Sequence, residues 1–306
     1  MPLTLVVFAS FYPEARHAVA YADALAHALG GQLVLLHINR ASLFDPYDLI
    51  AEGYPRQELA RQADTVALLG QVAAGLRAPT TVEVATDLLP SVAHDIVKRH
   101  HPVLFVLGQP DPARPATVRL AEACAGLLRA AGHSLLVLPP ADLAGPAQLP
   151  RRILVAADSE SFALTPAAQA LEQLLALPGT QLFVGHVSSG VEDDEGCALA
   201  LRAVQASGLL AGAAPPELRG YENPDYGAGL LAAVTDIQAD LVVLIARPRS
   251  YLGELFHHSV TAQLLAHCPV PVLVLPAAAE ATDPPGRTAT VAEYASVVLN
   301  GLSPAA

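Results

Sequence analysis

The chain has 306 residues, 53% of them hydrophobic and 15% charged, with a formal net charge of −12 at pH 7. That apolar content is enough for a substantial core and excludes a disordered chain; acidity with no basic stripe argues against nucleic acid as a partner. No apolar run reaches the ~18 residues of a membrane span, and the opening MPLTLVVFAS looks like a first strand and not a signal peptide, which predicts a cytoplasmic protein with no membrane contact.

In chain order, Leu5–Ser10 is a short apolar run typical of a buried parallel strand. An Ala/Leu-rich helical stretch follows at Ala15–Leu29 and stops near a glycine. A second strand, Gln32–Ile38, contains His37. The segment Ala41–Arg61 carries Phe44-Asp45-Pro46-Tyr47, and a third strand is expected near Thr81–Ala85. His100-His101 suggests the loop before the next strand, Val103–Leu107, and Ser134–Leu138 closes the unit. Ala141–Pro150, rich in Ala, Pro and Gly, is the expected linker.

The same order then returns. Ile153–Asp158 matches the first strand at an offset of 148 residues, and Gln181–Val187, with His186, matches the second at 149. A helical stretch is expected between them at Pro166–Leu175, and a third strand near Glu217–Tyr221. The later strands, Asp240–Leu244 and Pro271–Leu275, match at 137, so the second copy is shorter in the middle, and the excess is placed in Ala41–Arg61. Strands alternating with helices imply a parallel sheet with both faces covered. Right-handed crossovers make it doubly wound, ordered 3-2-1-4-5 in each copy. The expected units are therefore residues 1–143, 151–276 and a tail, 277–306. In the tail Val291, Tyr294, Ala295, Val298 and Leu302 fall at helical spacing over Ala289–Leu302. The last strand of each copy is a natural edge, which invites pairing with the other copy or with a second chain.

The acidity is uneven: residues 1–150 hold ten basic and thirteen acidic groups, residues 151–306 seven and sixteen. The run Glu192-Asp193-Asp194-Glu195 lacks the ligand spacing of a calcium loop and suggests a solvated loop. Cys124, Cys197 and Cys268 are far apart and form no CxxC pair, so a disulfide framework and a zinc site are not expected. Lys98 is the only lysine, and no glycine precedes it, which excludes a Walker-type phosphate loop. GAGLLA at Gly227–Ala232 formally fits G-x-G-x-x-A but does not follow a strand directly; it is taken as a helix start. No nucleophile elbow and no acid pair at catalytic spacing is present, so no catalytic residue is assigned.

Three features carry a family resemblance: the strand ending in Asp158-Ser159-Glu160-Ser161, the strand ending in His in both copies, and the final unit. That unit runs Ala239–Leu244, Ser259-Val260-Thr261 and His267-Cys268-Pro269-Val270-Pro271-Val272-Leu273-Val274-Leu275-Pro276. In this order the chain resembles the universal stress protein family in its tandem two-domain form. The resemblance implies a stress context and, in the members that bind nucleotide, a G-x2-G-x9-G-[ST] loop after the fourth strand. Aligned on Ser259, that loop places Ile245, Pro248 and His258 at its glycine positions. In the first copy, aligned on Ser134, it places Gly108, Asp111, Ala121 and Glu122, so that only Gly108 survives and two carboxylates face the phosphate position. The family's first-strand Asp is Asp158 in the second copy and Ser10 in the first.

The expectation is a non-enzymatic protein with degenerate nucleotide sites and no cofactor, acting on a protein partner not identified by the sequence, as a homodimer or an intramolecular pseudo-dimer. The alternative is a binder of ATP, AMP or another small anion in the second copy, with weak hydrolysis. Asp158, Ser159, His186, Arg247, Arg249, Ser250 and Ser259 would then form the site, and arginine is a good bidentate phosphate ligand. His257 and His258 point ~100° apart on a helix, so they do not share a metal ion.

Overall fold

The computed structural model describes residues 2–9, 13–38, 54–85, 89–109, 124, 126–128, 133–140, 147–189, 194–247 and 259–278. The first repeat contains β1 (Thr4–Phe8), α1 (Pro13–Leu29), β2 (Gln32–Ile38), α2 (Tyr54–Ala74), β3 (Thr80–Ala85), α3 (Leu89–His100), β4 (Val103–Gly108) and β5 (Ser134–Leu138). The second contains β6 (Arg152–Ala156), two short helices α4 (Pro166–Gln169) and α5 (Glu172–Leu175), β7 (Gln181–Ser188) and α6 (Asp194–Ala206). It closes with β8 (Glu217–Glu222), α7 (Tyr226–Ile237), β9 (Leu241–Ala246), α8 (Val260–His267) and β10 (Val272–Pro276).

All ten strands join one sheet in the order β3-β2-β1-β4-β5-β10-β9-β6-β7-β8. Each repeat thus has the expected 3-2-1-4-5 order, and every pairing within a repeat is parallel. The repeats meet where β10 runs antiparallel to β5, with Leu273 opposite Leu136. The two final strands cover one another's edges, which satisfies backbone groups that an open edge would leave exposed. The repeat extends to single side chains. Gln32 donates from Nε2 to Thr4 Oγ1 at 2.9 Å, and at the matching positions Arg152 donates from Nη1 to Gln181 Oε1 at 2.7 Å.

The strands are apolar on both faces because helices cover both. One face is packed by α1, α2, α4, α5 and α6, through Leu25, Leu69, Leu174 and Val204 among others. The other is packed by α3, α7 and α8 and by Leu127 and Leu128. Each core draws on both repeats. In α1 the buried stripe Ala18, Ala22, Leu25 and Ala26 follows helical periodicity, and Gly30 ends the helix with φ +63°.

Several expectations change. The single helix over 166–175 is two turns, α4 capped by Thr165 and α5 with no side-chain cap. The first of them begins at Pro166 as expected, after a stretch in which Leu164 bridges Ala277 and Ala278 N–H donates to Ala163 O. The extra length of the first repeat lies partly in α2, 21 residues against 13 in α6; residues 39–53 are outside the described residues. His100 is the last residue of α3, not a loop residue, because its ring lies 2.6 Å from Glu83 Oε1 on β3. Asp194 and Glu195 begin α6 rather than lying in a loop, as a helix N-terminus favours carboxylates; residues 192–193 are outside the described residues. So are 141–146 of the linker, His257 and His258, and the tail beyond residue 278.

Candidate functional site

In a doubly wound sheet the ligand crevice lies beyond the C-terminal ends of the strands, where the order reverses. In the second repeat the reversal falls between β6 and β9. A crevice of about 620 Å³ opens there, lined by Asp158 and Ser159 after β6, His186 and Ser188 on β7, Tyr226 on α7, and Val260 and Thr261 on α8. Apolar Leu230, Leu244 and Ile245 form its floor and wall. Ile245 therefore presents a side chain at the first glycine position of the nucleotide loop.

His186 is held by its strand: Nδ1 lies 3.1 Å from Ala157 O. A carbonyl only accepts, so Nδ1 carries the proton in this bond. His37 makes the same contact with Ala9 O at 3.1 Å in the first repeat. The paired histidines thus fasten the first and second strands of each repeat at the crevice mouth.

Arg247 leaves β9 and turns across to the loop after β6. Its Nη2 donates to Asp158 Oδ1 at 2.6 Å and its Nε to Asp158 Oδ2 at 3.1 Å, a bidentate pair. Nη1 donates to Ser161 O at 3.0 Å, Nη2 also to Glu160 O at 2.8 Å, and Glu160 Oε2 lies 3.6 Å from Nε. Only 13% of the Arg247 side chain is exposed. Asp158 in addition accepts from the Glu160 N–H at 3.1 Å, closing a tight turn. Two of the residues assigned to a ligand, Asp158 and Arg247, are therefore each other's partners. Ser259 caps α8 by accepting from Ala262 N–H at 3.1 Å. Arg249 and Ser250 lie outside the described residues.

GAGLLA is indeed a helix start. Asp225 caps α7 by accepting from Ala228 N–H at 3.0 Å, and that bond holds its carboxyl below the usual range. Glycine is needed at 229 for packing: a Cβ there would lie 2.6 Å from Val187 Cγ1.

In the first repeat the residue after the fourth strand makes a different contact. Gly108 ends β4, and Gln109 follows, 5% exposed. Its Nε2 donates to Leu265 O at 3.0 Å and to Ala266 O at 2.7 Å, the last turn of α8 in the other repeat. It satisfies carbonyls that a helix end leaves unpaired. The residue next to Gly108, the first position of the phosphate loop, instead clasps the second repeat. Ser10, Asp111 and Glu122 lie outside the described residues. Sequence reasoning missed Gln109, Tyr226 and Thr261; the signal for Gln109 was a polar residue at the position matching Ala246.

Among the described residues no three of His, Cys, Asp or Glu are placed to hold a metal ion, and no helix is long and apolar enough to cross a membrane. Burial raises the thiol pKa to about 12 at Cys124 and about 11 at Cys268, which makes both poor nucleophiles.

Both repeats are doubly wound α/β units, and the second has a crevice at its switch point. Residues 150–276 match the universal stress protein family. The chain is similar to a universal stress protein from Archaeoglobus fulgidus DSM 4304. The identity is 17% and the TM-score 0.62, covering 89% of this chain and 97% of that one. It is also similar to a functionally unknown protein from Pseudomonas aeruginosa PAO1, at 15% identity and TM-score 0.50, covering 90% and 92%. At these identities the likeness is one of fold. Comparison with curated proteins returns no match.

Proposed function

We propose that this chain is a tandem universal stress protein that does not turn over nucleotide and acts through protein contacts, with a second-repeat crevice no longer built for phosphate. The supporting observation is the Arg247 clasp. Arg247 is bonded to Asp158 of the crevice lining, and its guanidinium is spent on that carboxylate and on the carbonyls of Glu160 and Ser161. Recruiting it to a phosphate would break these bonds and leave Asp158 as an uncompensated negative charge beside the ligand. Ile245 and Pro248 add to this: one fills the space a glycine would leave, and the other supplies no N–H.

One observation favours the second reading, a small ligand in the second repeat: the crevice of about 620 Å³ combines Asp158, His186, Tyr226 and Thr261 with an apolar floor. Calorimetry with ATP, ADP and AMP, with and without magnesium, separates the two. The first reading predicts no heat up to millimolar nucleotide. Micromolar binding that disappears in Arg247→Ala would overturn it.

A further inference from the structure

The two repeats differ in one more place. On the sheet face covered by α1 and α2, a largely apolar groove of about 530 Å³ runs between these helices, lined by Val19, Ala20, Leu68, Leu69, Val72 and Leu76. Val66, Leu68 and Val72 are 45%, 48% and 42% exposed, three of the six large hydrophobic residues exposed among the described residues, and all on seven consecutive positions of α2. On the same face of the second repeat the turn before the third strand is longer. There, residues 207–216 separate α6 from β8, whereas only 75–79 separate α2 from β3. The longer turn folds back toward α4, with Gly208 against Gln169, and buries Leu209 completely. The first repeat has too short a turn to fill its own groove.

We infer that the occupant of this groove is the chain's own C-terminal segment, residues 289–302, seated as a helix. The argument rests on where the described chain ends. Ala278 N–H donates to Ala163 O, and Ala277 is buried beside Leu164, which packs on the face that α1 and α2 cover. The segment leaves the sheet on the groove's side. To reach the groove it crosses β5, β4 and β1, roughly 15–20 Å at ~4.8 Å per strand, and rises ~10 Å to the helix layer. Residues 279–288 extend to about 33 Å at most, which suffices. Pro284-Pro285-Gly286 ends any helix there and lets the next one start afresh. Val291, Tyr294, Ala295, Val298 and Leu302 then form one apolar stripe, the pattern that helix-in-groove docking requires. This inference does not depend on what the crevice binds.

Hydrogen exchange on the full chain tests it. The amides of 289–302 should exchange at least tenfold slower than in a free peptide, at a rate independent of protein concentration. Leu68→Glu with Val72→Glu should release them and leave the strands protected, since both side chains are exposed. Val298→Glu, which charges the docking stripe and leaves the sequence of both repeats unchanged, should do the same. Three results would overturn the inference: unprotected tail amides; protection indifferent to the α2 substitutions; or protection that grows with concentration as the mass doubles, which would make a second copy the occupant. Charge on α2 that releases residues 40–53 instead would assign the groove to that segment and also contradict it.

Discussion

The two repeats share strands, order and the histidine contact, yet they use the position after the fourth strand in opposite ways. In the first repeat Gln109 reaches outward and caps a helix of the other repeat. In the second, Arg247 reaches sideways within its own repeat and closes the loop that carries Asp158. Neither position is a glycine, the residue that lets backbone N–H groups wrap an anion. One fourth strand thus leads into a joint between the repeats, and the other into an ion pair at the side of the crevice.

If the joint makes one folding unit of two repeats, damage at the seam should be felt by both. Leu273 and Leu136 face one another across it, both fully buried. Leu273→Ala should cost about 2–5 kcal/mol, the range for a large core residue cut to alanine. Denaturant unfolding followed by probes in each repeat should still give one transition. Two separated transitions would show that the seam joins independently stable domains.

A second asymmetry is a matter of pH. His133 is buried next to Phe105, with ring centroids 5.3 Å apart, and its counterpart is Val270. Burial, with the nearby His94 and His101, lowers its pKa from 6.5 to about 4. The folded state thus holds the ring neutral where the unfolded chain would protonate it. The stability this represents is present above pH 6.5 and is lost as pH falls through the window between 6.5 and 4. Its Nε2 finds no hydrogen-bond partner, so the ring gains nothing from its polarity. His133→Val, which copies the second repeat, should flatten the acid limb of the melting temperature between pH 6.5 and 4. An unchanged limb would place the acid sensitivity elsewhere.

Removing the Gln109 amide tests the joint more gently. Gln109→Ala leaves two helix-end carbonyls of α8 without a donor and should cost about 1–2 kcal/mol. Exchange of the α8 amides should rise, while those of α1, remote from the joint, stay slow. Equal acceleration in both would indicate a general loosening and not a lost cap.

Much of this was legible in the sequence for physical reasons. Strands buried on both faces are apolar runs, so Val103–Leu107 and Asp240–Leu244 marked the fourth strands to within a residue or two. The offset between the repeats carried the topology, because equal spacing of like elements implies equal folds. The break in the helix at 166–175 had no signal in the sequence, since neither a glycine nor a proline stands at Ala170 or Leu171 between the two short helices. The reach of Gln109 was invisible because its partners lie more than 150 residues away in sequence. Asp158 and Arg247 were both singled out, but as ligands of a third body. Their spacing of 89 residues says nothing about whether two opposite charges find a ligand or find each other.

The clasp carries the account. A double-mutant cycle on Arg247→Ala and Asp158→Ala, measured by denaturant unfolding with and without millimolar ATP and magnesium, tests it most directly. The pair is partly exposed, so a coupling of about 0.5–1 kcal/mol is expected, the same in both conditions. A coupling that vanishes when nucleotide is added would mean that Arg247 leaves Asp158 for the phosphate, and the crevice would then be a working nucleotide site.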